Sequence, residues 1–270
     1  MIATLGLYRR LAGAQVRSQM QYRVSFVLDS VGAFAGNLLE FVAVWVLFGL
    51  TPALGGWSLA EVALLYGLSS LSFSLADMFA SGFDYSYFGP TMIRLGYFDQ
   101  VLVRPVNPFL QVLASQLVLR RIGRLLQGAL VLALALPHLS IAWTPAQVAF
   151  AAVTVLGGMA LFFGLFVLGA AASFWTTESL ETLNVLTYGG QMMTSYPMSI
   201  FTPWLRGFFT FVIPMAFVNY YPALWLLDKP DPAGGSAWLA FLSAPICSAA
   251  CGLCIAAWWR GVRHYQSTGS

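Results

Sequence analysis

Charge is scarce in this sequence. Charged residues are 9% of the 270, where soluble globular chains carry about 25%. That deficit, beside 59% hydrophobic residues, excludes a soluble domain and puts the chain in a bilayer. Lysine is nearly missing: of the 13 basic residues only Lys229 is one. A G-x-x-x-x-G-K-[ST] phosphate loop is therefore excluded, and so is a lysine-rich nucleic-acid surface. The chain is expected not to be an enzyme, to hydrolyse no ATP itself, and to have no nucleic-acid partner. There are two histidines, His138 and His264, and the topology below puts them on opposite membrane faces, against a paired-histidine metal site. The three cysteines, Cys247, Cys251 and Cys254, share one apolar stretch at i, i+4, i+7 spacing. Free thiols packing against a neighbouring helix are expected there, not a soft-metal site. No metal, cofactor or catalytic cluster is expected in this chain.

What is present is a series of apolar runs separated by glycine, proline and arginine. A transmembrane helix takes about 20 residues, and the runs predict an all-α membrane protein with spans at 24–50, 59–80, 125–143, 146–174, 180–199 and 238–259. Residues 81–108 mix glycine, proline and charge and are expected to form a loop on the polar side. Pro90 can open a short helix there and Gly96 can close it in the left-handed position. Arg104-Pro105 and Asn107-Pro108 force extended chain beyond it. Arg120, Arg121 and Arg124 are expected to mark the cytoplasmic boundary of the third span. Gly157, Gly158, Gly164 and Gly169 suit close helix contact in the fourth. Thr176-Thr177-Glu178, with Glu181, looks like a capped helix start for the fifth.

If every run crossed, the N-terminal and C-terminal arginines would lie on opposite sides, against the positive-inside rule. Reading 201–227 as a re-entrant outer hairpin, broken by Pro203, Pro214, Asn219 and Pro222, removes the conflict. Both termini are then cytoplasmic, with eleven of the thirteen basic residues inside. Residues 1–23 carry Arg9, Arg10 and Arg17 on one side of a helix and Leu7, Leu11 and Tyr22 on the other, the pattern of an interfacial helix, and no signal peptide is expected. Glu40, mid-span and near Asn37, is either part of a polar path, a proton acceptor, or a packing group hydrogen-bonded to Asn37.

Several segments together resemble a known family. They are Arg94-Leu95-Gly96, Leu102-Val103-Arg104-Pro105-Val106-Asn107-Pro108, Phe174-Trp175, Tyr196-Pro197 with Phe201, Ile213-Pro214, Asn219-Tyr220-Tyr221-Pro222-Ala223 and Tyr265-Gln266-Ser267-Thr268-Gly269. In order and spacing the chain resembles the permease subunits of type 2 ABC exporters, and in particular a branch of uncharacterised bacterial ABC transport permeases. The resemblance implies a subunit of the bacterial cytoplasmic (inner) membrane. It would pair with a second permease, identical or homologous, and with two separate ATPase subunits that bind ATP and Mg. It implies that the interfacial helix and Arg94, Gly96, Asp99, Arg104 and Pro105 face the ATPase. It implies an outer gate at Tyr196, Pro197, Phe201, Pro214, Asn219 and Pro222. Glu40, Asn37, Phe41, Trp45, Met192 and Met193 become candidates for the lining of an efflux pathway for an amphipathic drug, lipid or peptide. The rival expectation is a gradient-driven secondary transporter or channel that uses Glu40 and needs no ATPase.

Overall fold

In the computed structural model, residues 13, 15–176, 184–232 and 234–266 are described. They are helical with no strand; one isolated bridge joins Leu54 and Trp57 in a turn. The expected Arg9 and Arg10 of the interfacial helix, the helix start at Thr177, Glu178 and Glu181, and Ser267 to Gly269 lie outside the described residues. Residues 15–21 are helical, with Arg17 exposed, and a turn at Tyr22 leads into α1 (Arg23–Leu50). Next come α2 (Leu59–Ala80), α3 (Tyr97–Val103), α4 (Pro108–Ser115), α5 (Ile122–Ala135) and α6 (Pro145–Thr176). The remainder is α7 (Gly190–Thr194), α8 (Pro203–Gly207), α9 (Tyr220–Leu226) and α10 (Ser243–His264).

Among the described residues, four helical runs are long and apolar enough to cross a membrane: Arg23–Leu50, Leu59–Arg94, Pro145–Thr176 and Ala237–His264. A fifth is added if Pro203–Val212 and Met215–Leu226, bent by 76° at Ile213-Pro214, count as one. The expected spans 24–50, 59–80 and 146–174 coincide with α1, α2 and α6. The others differ in instructive ways. The helix expected over 125–143 starts at Ile122 and ends at His138, because Pro137 tightens the last turn and residues 140–144 are not helical. The described part of the helix expected over 180–199 ends at Thr194, where Ser195 to Pro197 turn the chain. The last helix overshoots 259 and runs to His264. Residues 81–94 are not surface loop: short helical turns continue α2, and Ser81, Gly82, Phe83, Phe88, Met92 and Ile93 are buried.

α2 is the centre of the packing, flanked by α5 and α6; α10 lies on the far side of α6 and α1 on the far side of α5. Its start is fixed by a reciprocal cap, Ser58 Oγ accepting from Glu61 N and Glu61 Oε2 accepting from Ser58 N at 2.7 Å. Small residues set the helix distances. A Cβ at Gly164 would stand 2.8 Å from the Cα of Cys251, and one at Gly123 would overlap the carbonyl of Ser30. Both are glycines because backbones meet there.

The charged groups at the end of α2 turn inward. Arg121 pairs with fully buried Asp77 at 2.6 Å, and Arg124 stands 5.2 Å over the ring of Phe73. A buried carboxylate must be compensated, and Arg121 is the cation that pairs with it. Asp84 is likewise buried, accepting from Ser86 N at 2.9 Å and from Tyr188 Oη at 3.2 Å.

Candidate functional site

Three arrangements stand out. The first is the short helix α3. Gly96, at φ +70°, takes the left-handed conformation before it, and its N–H donates to Ile93 O at 3.1 Å. Phe98 is fully buried, with ring centroids 5.1 Å from Phe174, 5.2 Å from Tyr265 and 5.8 Å from Phe88. Trp258 closes the same cluster, 5.1 Å from Phe174. α3 is thus bolted to the ends of α6 and α10. Behind it, Gln111 Nε2 donates to Val101 O and Val106 O, both at 2.9 Å. The outward side carries Arg94, Arg104 and Pro105, and also Leu95, Tyr97, Leu102 and Val103, the last 85% exposed. Sequence reasoning missed these apolar members, although Leu95 and Val103 adjoin the arginines. Asp99 instead turns inward and is half-buried. Burial and that neighbouring carboxylate push the Tyr265 hydroxyl up to about 12. A cleft of about 550 Å³ beneath α3 is lined by Tyr87, Met92, Tyr97, Val101, Arg104 and Gln111, among others.

The second arrangement is the outer flank of α1. At 100° per residue, Tyr22, Ser25, Asp29, Gly32, Gly36 and Glu40 form one stripe, and all six are exposed. Nothing lies within 4 Å of a Cβ at Gly32 or Gly36. Glu40 makes no hydrogen bond or ion pair among the described residues. The proposed bond to Asn37 is absent, because Asn37 faces the other way. It is buried, donates from Nδ2 to Ala33 O at 2.6 Å, and its carbonyl accepts from Tyr66 Oη at 3.1 Å. Phe41 is half-buried against Tyr66, with centroids 5.2 Å apart. Trp45 and Met192 are exposed on separate elements, and Met193 is half-buried. The structure therefore exposes Glu40, Trp45 and Met192 and buries Asn37. The Gly32-x-x-x-Gly36 spacing is a signal present in the sequence that its apolar surroundings obscure.

At the start of the stripe the chain is pinned. Gln19 Nε2 donates to Leu117 O while its Oε1 accepts from Leu119 N, and Gln15 Nε2 donates to Ser115 O at 2.8 Å. These bonds satisfy the backbone where the helix breaks between α4 and α5. A cleft of about 420 Å³ opens there, with Ser18, Tyr22, Ser25 and Asp29 on one wall.

The third arrangement is the bent element from Pro203 to Leu226. Asn219 is buried and its Nδ2 donates to Leu65 O at 2.9 Å and to Thr194 O, tying the bend to α2 and α7 at once. Ser69 and Thr194 share a hydroxyl–hydroxyl bond beside it. Pro214 occupies the break, Pro222 sits in the first turn of α9, and Tyr196-Pro197 ends α7, so four of the expected gate residues mark chain breaks. Phe201 is half-buried against the core. Nearby, Lys229 Nζ binds Glu61 Oε2 at 2.8 Å and Gly56 O at 2.7 Å, and stands 4.7 Å over Trp57. The only lysine is thereby spent on holding this end of the molecule together.

A family model described as ABC-2 family transporter protein matches residues 34–269, which includes α1 from Phe34 onward and every element after it. No curated protein and no solved structure matches the chain.

Proposed function

This chain belongs to the ABC-2 family of transporter proteins, as a multi-pass membrane permease of an ABC transporter, and from that premise we propose that it is the permease subunit of an ATP-driven exporter. Two ATPase subunits holding ATP and Mg dock on the cytoplasmic side, and a second permease completes the substrate path. The chain crosses six times, with 201–227 re-entering from the outer side and both termini cytoplasmic in the bacterial inner membrane. α5 with its closing turn, Ile122–His138, is at the lower limit of about 17 residues for a crossing. The 76° bend over a pinned Asn219 supports the re-entrant element, since irregular backbone at membrane depth needs protein cover.

The observation that carries the proposal is the platform of α3, rigid behind and exposed in front. Exposed apolar residues between two arginines suit a protein partner more than water or lipid. The ATPase pushes on Arg94, Leu95, Val103 and Arg104, and the Phe98 anchor passes that push to α6 and α10. The exposed flank of α1, with Gly32 and Gly36, meets the second permease, and Glu40, Trp45 and Met192 line the route between them.

Arg94→Glu with Arg104→Glu tests the coupling. The variant is expected to insert normally and to lose both transport and transport-stimulated ATP hydrolysis in vesicles containing the full complex. Full transport by the variant would refute the proposal. A second function is favoured only by Glu40, a carboxylate on an apolar helix with no partner among the described residues. A gradient-driven transporter would lose transport in Glu40→Gln and keep it without ATP.

A further inference from the structure

A pocket of about 360 Å³ lies between the bent element and the chain that follows α9, within the range of about 300–1,000 Å³ typical of small-molecule sites. Arg206, Thr210, Tyr221 and Asp231 line it. Two facts make it unlike a packing defect. The half-buried Arg206 guanidinium makes no hydrogen bond or ion pair among the described residues; only its backbone carbonyl is used, accepting from Thr210 Oγ1 at 2.7 Å. An arginine held in a pocket without an acceptor calls for one, and its planar fork suits a phosphate. Opposite charge is already installed in the same pocket. The Asp231 carboxylate is held in place by Tyr220 Oη at 2.9 Å and Gly235 N at 3.2 Å, and it forms no salt bridge with Arg206.

A pocket that keeps a cation and an anion apart fits a ligand that carries both. Its surroundings say where such a ligand comes from. Trp204 is 72% and Phe211 85% exposed, and Trp238 is exposed as well. All three stand on the segments that build the pocket. Exposed tryptophans such as Trp204 and Trp238 sit at the level of lipid headgroups. We propose that the pocket binds the zwitterionic headgroup of a phospholipid carrying a phosphate and a primary ammonium. The phosphate rests on Arg206 with the Tyr221 hydroxyl beside it, the ammonium points to Asp231, and the acyl chains lie along Phe211 and Trp204. This site does not depend on the exporter function or on the direction of transport.

The test uses the full chain purified into nanodiscs of phosphatidylethanolamine, phosphatidylglycerol and phosphatidylcholine in equal parts, with retained lipid read by native mass spectrometry. The wild-type chain is expected to retain phosphatidylethanolamine at least tenfold over the other two. Arg206→Gln is expected to lose that retention by tenfold or more, with an unchanged melting temperature, because the guanidinium supports no contact of the fold; Arg206→Lys keeps part of it. Asp231→Asn is expected to exchange the preference for phosphatidylethanolamine for phosphatidylglycerol, a change that mere loosening of the pocket would not produce. Equal retention of the three lipids by the wild-type chain, or unchanged retention in Arg206→Gln, would overturn the proposal. Binding of soluble O-phosphoethanolamine as tight as that of the lipid would overturn the lipid as its source.

Discussion

Replacing Phe98 by alanine separates a docking platform that is rigid from one that is merely nearby. Phe98 belongs to a seven-residue helix with no other fully buried side chain, so the attachment of α3 to the bundle rests on one ring. That ring meets Phe88, Phe174 and Tyr265 with centroids no more than 5.8 Å away. A buried Phe→Ala change costs about 3–5 kcal/mol, of which each lost aromatic pair accounts for about 0.5–1.5 kcal/mol. The Gln111 bonds to Val101 O and Val106 O remain, but they hold only the end of the segment. The cost is expected to appear as local opening, since Phe88, Phe174 and Trp258 still pack on one another. At about 1.4 kcal/mol per factor of ten, the lower figure raises amide exchange of residues 97–103 on the order of a hundredfold. Hydrogen exchange read by mass spectrometry on the protein in nanodiscs would show this, with α2 and the middle of α6 unchanged. Transport should fall with it while ATPase binding survives. Unchanged exchange at 97–103, or loss of protection spread evenly over α2 and α6, would refute the single-ring anchor.

Asp77→Asn leaves Arg121 without its partner and is expected to cost about 1–3 kcal/mol, below the range for a fully enclosed pair because Arg121 keeps some exposure; Asp77→Asn with Arg121→Gln should recover most of it, and a denaturation series in detergent reads both. Asn219→Ala removes the link between the bend, α2 and α7 and is expected to cost roughly 1–3 kcal/mol, seen as a lower melting temperature and as protease access near Pro214. Lys229→Met breaks an ion pair in which both groups are partly exposed, so a loss of only about 1 kcal/mol or less is expected in the same melting assay. The Arg94→Glu with Arg104→Glu variant is expected to match the wild type in both stability measurements, which confines its effect to coupling.

The long helices were legible because a membrane crossing writes itself as an uninterrupted apolar run, and α1, α2 and α6 follow from that alone. The turn at Gly96 and the break at Pro214 were legible because each rests on local backbone preference. What escaped depends on which distant residues meet. Nothing in the local sequence joins Arg121 to Asp77, 44 positions earlier in the chain, yet that carboxylate is buried against it. Ser81 to Phe83 read as loop from their small and polar residues, yet Gly82 lies against the backbone of Val112, a contact that only α4 could reveal. The aromatic cluster around Phe98 draws on four separate stretches of chain, and no periodicity in any one of them marks it. At the candidate sites the charged residues stand out by type, while Leu95, Val103, Gly32 and Gly36 are hidden by an abundance of similar residues.

The three arrangements are joined asymmetrically, and this bears on how a push could open a path. α3 is fixed to α6 and α10 through Phe98 and to α4 through Gln111, so it moves with that block. α1 belongs to a different group: it packs mainly on α5, closely at Gly123, and its N-terminal extension is tied by Gln15 and Gln19 to the break between α4 and α5. Only 11% of the apolar window of α1 is buried, against 72% for the run from Leu59 to Arg94. A displacement of α3 therefore reaches α1 by way of α4 and the non-helical residues 116–118, where two glutamine side chains substitute for helical hydrogen bonds. Those bonds are cheaper to rearrange than a helix is to bend, since a glutamine can re-pair with a neighbouring carbonyl. The flank bearing Glu40 thus belongs to the long apolar helix that is least committed to the core among the described residues.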